Sequence, residues 1–178
     1  DRGNATTPSS GNYDTNVTAP NTTITATLFA AEQYGSCPKA AMPLSYDWIG
    51  MNNLVAAMSP AGNTNQAIGL AHGWMSLVGG GPYPEPPPMI SGRQYSQIII
   101  LMTDGLNTQD RWYTSQSQID TRQQITCNNV KAANITLYTV QVNTSGDPTS
   151  TLLQNCASSP DKFYLLTSAN QLVTTFQK

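Results

Sequence analysis

Apolar residues are sparse at the start of the chain and then fall into blocks whose spacing alternates between helical and strand-like. From Asp1 to about Thr23 the residues are mainly Asn, Thr, Ser and Gly with almost no apolar periodicity, which predicts a polar loop or extended segment over 1–23. Trp48, Ile49, Met51, Leu54, Val55 and Met58 then mark one face of a helix that Pro60-Ala61-Gly62 ends, and such a face is expected to lie on a sheet. Gly62-Asn63-Thr64-Asn65 reads as a tight polar turn. A second helix follows from near Asn65, carried by Ala67, Ile68, Leu70, Ala71, Trp74, Met75 and Leu77. The stretch Gly79 to Pro88 fits neither helix nor central strand. It predicts an exposed connection with polyproline character, in preference to a Pro-motif ligand.

Gln97 to Met102 changes the period, because a continuous β-branched run ending at Thr103-Asp104-Gly105 is the pattern of a central parallel strand buried on both faces. A polar loop carries Asp110-Arg111-Trp112, and Ile119, Ile125, Val130 and Ala133 mark a helix that stops near Asn134. Ile135 to Val142 predicts a second strand, Leu152 to Cys156 a short helix, Lys162 to Leu166 a third strand, and Leu172 to Phe176 a closing helix. Strands alternating with helices call for a parallel sheet with helices on both faces and right-handed crossovers.

Composition narrows the function classes. The 178 residues suffice for one domain with its own core, and charged residues make up only 10% against roughly 25% in an ordinary soluble protein, uncharged polar residues taking their place. Such a surface suits an exported protein. With 8 basic and 10 acidic residues the chain has no electrostatic footprint for nucleic acid and no polybasic membrane patch. The longest strictly apolar run, Ile98 to Met102, falls far short of the roughly 20 residues a membrane helix needs, so no membrane contact is expected from this segment. Three cysteines leave one thiol without a partner in the chain. Cys127 and Cys156, on helices separated by one strand, are the preferred pair, and three buried free thiols are the alternative.

Asp104 stands at the carboxyl end of the most apolar strand, where open α/β sheets bind ligands. Its carboxylate, with the Thr64 hydroxyl offered by another loop, makes the all-oxygen environment that hard cations such as Mg²⁺ prefer, although two donors do not make a metal site. Each has a simpler reading: Asp104 capping a turn through backbone amides, and Thr64 satisfying the orphan amides of a helix start. His72, the only histidine, has no evident partner and reads as a packed or surface ring.

These positions resemble the von Willebrand factor A-type fold, a three-layer Rossmann-like sandwich with a mostly parallel central sheet and helices on both faces. Its metal-ion-dependent adhesion site combines an Asp-x-Ser-x-Ser loop after the first strand with a Thr and an Asp from two later loops. Thr64 in Ala-Gly-Asn-Thr-Asn and Asp104 in Met-Thr-Asp-Gly match the last two. Asp47-Trp48, Gly69-Leu70-Ala71-His72-Gly73-Trp74, Met102 through Trp112, Cys127, Tyr138-Thr139-Val140, Leu152 through Ala157 and Phe163-Tyr164 further resemble the A-type domain of TadG-like pilus-assembly proteins, over about 1–178.

The resemblance implies an exported, non-enzymatic domain of tight-adherence (Flp-type) pilus assembly or surface adhesion. It implies a location in the periplasm or at the cell surface, with a membrane anchor upstream. The expected partner is a protein, a pilus or envelope component, met by the face around Thr64 and Asp104 with Asn63, Asn65, Asn107, Asp110 and Trp112. Asp-x-Ser-x-Ser and the strand preceding it are absent from these residues, so 1–178 reads as the C-terminal portion of the domain. Its incomplete metal site would take Mg²⁺ only in the intact domain, and no cofactor is required by this chain alone. The missing strand is expected to uncover apolar surface and unpaired edge groups, which a separate N-terminal segment of the same protein or a neighbouring copy would fill. Cys37 is expected to pair with an upstream or external cysteine. The rival readings are a purely structural assembly module with a vestigial site, acting through the Pro-rich loop and Trp112, and, more remotely, an α/β hydrolase, for which no Gly-x-Ser-x-Gly elbow exists.

Overall fold

The computed structural model describes Thr23 and residues 39–80, 83–110, 113–168 and 170–177. The predicted 1–23 segment (apart from Thr23), Cys37 and Trp112 lie outside the described residues. The chain divides into two compact units, Asp1–Met42 with Tyr46–Pro60, and Pro43–Ser45 with Ala61–Lys178.

The described element of the first unit is helix α1 (Trp48–Ala56), capped by Asp47, whose carboxylate accepts from the Gly50 amide at 2.8 Å. An N-cap carboxylate satisfies one of the amides that a helix start leaves without an intrahelical partner. The expected apolar face does form a helix, but none of its residues is buried.

The second unit holds the sheet. Strands β1 (Ile98–Thr103), β2 (Thr136–Val142) and β3 (Phe163–Leu166) are all parallel, in the order β1-β2-β3, with Ile99 beside Leu137 and Thr139 beside Phe163. Helices α2 (Gln66–Val78), α3 (Gln116–Ala132), α4 (Thr151–Cys156) and α5 (Gln171–Phe176) alternate with the strands, which is a Rossmann-like α/β arrangement. The core lies between one sheet face and helices α2, α3 and α4, where Ile99, Leu101 and Leu137 meet Leu70, Cys127, Val130, Leu153 and Cys156. A disulfide joins Cys127 to Cys156 within this core, as the helix–strand–helix order anticipates.

The predicted burial of β1 on both faces is corrected by its position. β1 pairs only with β2 among the described strands, and Ile98, Ile100 and Met102, which point away from the core, are 49%, 49% and 51% exposed. On that second face a hollow of about 330 Å³ is lined by Ile98, Ile100, Tyr138, Val140 and Tyr164 from the sheet and by Thr175 and Phe176 of α5. The run is apolar on both sides because its composition suits an interior strand, while its edge and outer face stay uncovered among the described residues.

Asn134, after α3, has φ of +60°, the left-handed conformation that ends a helix and that Asn tolerates better than most side chains. Gly79, after α2, has φ of +81° and no room for a Cβ, which would come within 2.9 Å of the Glu85 carboxyl group. From Pro84 to Ile90 the chain is exposed and irregular, as the proline content predicts.

Candidate functional site at the strand carboxyl ends

Among the described residues, the carboxyl end of the sheet is built from three loops: 61–65 before α2, 104–110 after β1, and 143–150 after β2. Each is fixed by polar side chains that replace the hydrogen bonds an irregular backbone lacks. After β2, buried Gln141 donates to the Pro148 carbonyl at 3.1 Å and accepts from the Ser150 amide at 2.8 Å. Asn143 accepts from the Asp147 amide at 2.8 Å in the same loop.

The other two loops are bonded to one another. The Thr108 amide donates to the Thr64 carbonyl at 2.9 Å, and the Thr64 amide donates to the Thr108 hydroxyl at 2.7 Å. Asn63 donates to the Gln109 side chain at 2.6 Å. Thr64 is thereby brought beside the loop that Asp104 opens. Its hydroxyl, like the Asp104 carboxylate, makes no hydrogen bond to a described residue.

The simpler readings of both residues are displaced by neighbours. The amide-capping role at the start of α2 belongs to Asn65, which accepts from Ala67 at 3.2 Å, and to Asn107, which accepts from the Gln66 amide at 2.9 Å. The turn at Asp104 is closed by Thr103, whose hydroxyl accepts from the Gly105 amide at 3.3 Å, leaving the Asp104 carboxylate exposed.

The remaining predicted contact residues separate by depth. Asn63 is exposed on the face. Asn65 is half-buried and engaged as a helix cap. Asn107, only 3% exposed, lies beneath the face with its amide committed to Asp120 at 2.8 Å and Gln123 at 2.7 Å. Asp110 is half-buried and accepts from the Tyr113 amide at 2.6 Å. Apolar spacing does not single out Gln66, Gln123 and Asp120, because Gln66 falls within a helical run and the other two are polar residues of a helix marked by its apolar positions alone.

A cation at this face would need about six oxygen ligands, and Thr64 and Asp104 supply two. Among the described residues no group of three or more His, Cys, Asp or Glu side chains converges. The described residues therefore do not fit a metal on their own. His72 sits apart from Asp104 chemistry, its Nδ1 3.1 Å from the Tyr83 hydroxyl and its ring edge-on to that tyrosine, and so ties α2 to the connection that follows it.

Among the described residues, the titratable groups with shifted affinity are neighbours in the short turn that precedes β3. Hydrogen bonds involving Ser159 and Lys162 hold Asp161 below the usual carboxylate range, and its bond to Asp161 raises Lys162.

Residues 25–178 match the model of the von Willebrand factor type A domain. The chain belongs to that family. Domains of the von Willebrand factor A family serve in protein–protein interaction and adhesion, are typically non-enzymatic, and can carry a divalent cation at their adhesion site. Two crystal forms of proximal thread matrix protein 1 from the mussel byssus are similar in structure, with TM-scores of 0.47 and 0.45 and identities of 17% and 16%. The similarity covers 72% of this chain and 27% of that one, so the chain spans about a quarter of that protein's length. No curated protein matches the sequence. No helix among the described residues is long and apolar enough to cross a membrane.

Proposed function

We propose that this von Willebrand factor A domain is an exported, non-enzymatic recognition module of surface adhesion or pilus assembly, of the tight-adherence kind its sequence resembles. Its partner is a protein of the pilus or cell envelope, met by the carboxyl-end face at Thr64, Asp104 and Asn63. A single observation carries the reading: the Asp104 carboxylate stands exposed at the end of β1 without a hydrogen bond to a described residue, while the turn beside it is closed by Thr103. A carboxylate that stabilises nothing in its own fold is free to meet a ligand. The disulfide between Cys127 and Cys156 supports an oxidising compartment, the periplasm or the cell surface. The reading includes a cation only in the intact domain, where further oxygen ligands from a separate N-terminal segment would join Thr64 and Asp104.

The test replaces Asp104 by Asn in the full-length protein and scores attachment of cells that carry it. Attachment is expected to fall at least tenfold with the amount of exported protein and the melting temperature of the purified domain unchanged, because the carboxylate holds no part of the fold together. Unchanged attachment would instead favour the structural module, whose contacts come from the Pro-rich connection and Trp112.

A further inference from the structure

Beneath the proposed face three amide side chains form a closed ring of hydrogen bonds. Asn107 accepts from the Gln66 backbone amide at 2.9 Å and donates to Gln123 at 2.7 Å, and Gln123 donates to the Gln66 side chain at 3.1 Å. Two spokes leave the ring: Asn107 donates to Asp120 at 2.8 Å, and Gln66 donates to the Gly105 carbonyl at 2.9 Å. The second spoke ends on the residue next to Asp104. The ring thus joins the start of α2, the loop after β1 and the middle of α3, elements that share no other side-chain hydrogen bond among the described residues at this depth.

Gln123 is the costly member. It is 0% exposed and occupies the face of α3 that also buries Ile119, Cys127 and Val130, where an apolar residue of similar size would pack without any hydrogen-bond requirement. A buried primary amide is tolerated only when its donor and acceptor are both satisfied, and then it selects one arrangement of the groups that satisfy it. Here those groups belong to the two loops that present Thr64 and Asp104.

We infer that Gln123, acting through Asn107 and Gln66, is a positioning residue of the recognition face, holding the Thr64 loop and the Asp104 loop in fixed register from inside the core. The inference rests on the proposed recognition role of that face, and it adds the part of α3 that sets its geometry. Gln123 itself touches no ligand. Loss of its amide would leave the fold in place and loosen the two loops, since it would remove the anchor to α3 from Asn107 and Gln66 and leave the bonds of Gln66 to Asn107 and Gly105 supported only by the exposed pairing of Thr64 with Thr108 and of Asn63 with Gln109.

The experiment uses Gln123→Met, which keeps the side-chain length and removes both hydrogen bonds, and Gln66→Met, which opens the same ring from the loop side at a half-buried position. Amide hydrogen exchange is followed at Thr64, Gln66 and Thr108 on the face and at Leu137 and Val140 in β2. Positioning predicts exchange at least tenfold faster at the three loop amides with the β2 amides unchanged, and a comparable loss of cell attachment although Thr64 and Asp104 are intact. Unchanged loop amides, or acceleration at loops and β2 alike, would overturn it, the second result showing a merely structural amide. Should Gln123→Met fail to fold, Gln66→Met decides by the same criteria. Attachment retained with loosened loops also overturns it, provided Asp104→Asn abolishes attachment. The exchange measurement needs no partner, so it remains decisive even where the Asp104 test goes against the recognition reading.

Discussion

Asn134 shows how a single side chain can set an element boundary. It holds φ at +60° between α3 and β2, and its amide donates to the Lys131 carbonyl at 3.0 Å, closing the helix. A Cβ-bearing residue pays about 1 kcal/mol or more in this conformation, Asn somewhat less, and Gly almost nothing. Asn134→Gly is therefore expected to match or slightly exceed the parent in urea denaturation, and Asn134→Ala to lose about 1 kcal/mol. Equal losses in both would mean that the Asn side chain, and not its backbone, ends the helix. At this same scale the sequence misleads at Gln123 and Ile125. Apolar periodicity selects Ile125 for the buried face of α3, yet Ile125 is exposed and Gln123 is buried in its place. A pattern that counts only apolar residues has no means of finding a polar side chain whose burial depends on partners dozens of residues away.

Elements, by contrast, are largely legible. The three described strands and five described helices fall within a few residues of the positions that apolar spacing and turn residues predict, because Ile99, Leu101, Leu137 and Val140 are buried by an extended chain against helices. The Thr64 and Asp104 loops are legible for the same reason, as the segments that must follow or precede those elements. The pairing between the loops is not, since Thr64 and Thr108 meet through backbone geometry that no local pattern encodes. The disulfide is the strongest link between elements: Cys127 of α3 and Cys156 of α4 are both fully buried and 29 residues apart. Closing a loop of that length removes unfolded-state entropy equivalent to about 3.5 kcal/mol. Replacing both cysteines by Ala is expected to lower unfolding free energy by about that amount. The chain holds three cysteines, so residues 1–178 denatured without reductant should offer one thiol to a maleimide, that of Cys37, and three after reduction. Three before reduction would remove the disulfide from the account.

At the level of the whole molecule the asymmetry of the sheet matters most. One face carries α2, α3 and α4, whereas the other leaves the outward residues of β1 about half exposed around the hollow bordered by α5. From sequence alone Ile99 and Ile100 are equivalent, adjacent members of one apolar run. In the folded chain they are not, because Ile99 is 7% and Ile100 49% exposed. Ile99→Thr would bury a hydroxyl and open space beside Leu70 and Leu137, at a cost of roughly 2–3 kcal/mol. Ile100→Thr keeps the β-branched shape that a strand favours and leaves its hydroxyl within reach of water, so its cost should stay below about 1 kcal/mol. Urea denaturation of the two variants in residues 1–178 measures the difference directly. Similar large losses would show that the outer face of β1 is covered within this chain, and the strand would then be the interior one its composition describes. A large loss at Ile99 with a small one at Ile100 would establish the uncovered face in solution, and with it a strand whose apolar composition exceeds what these residues alone require.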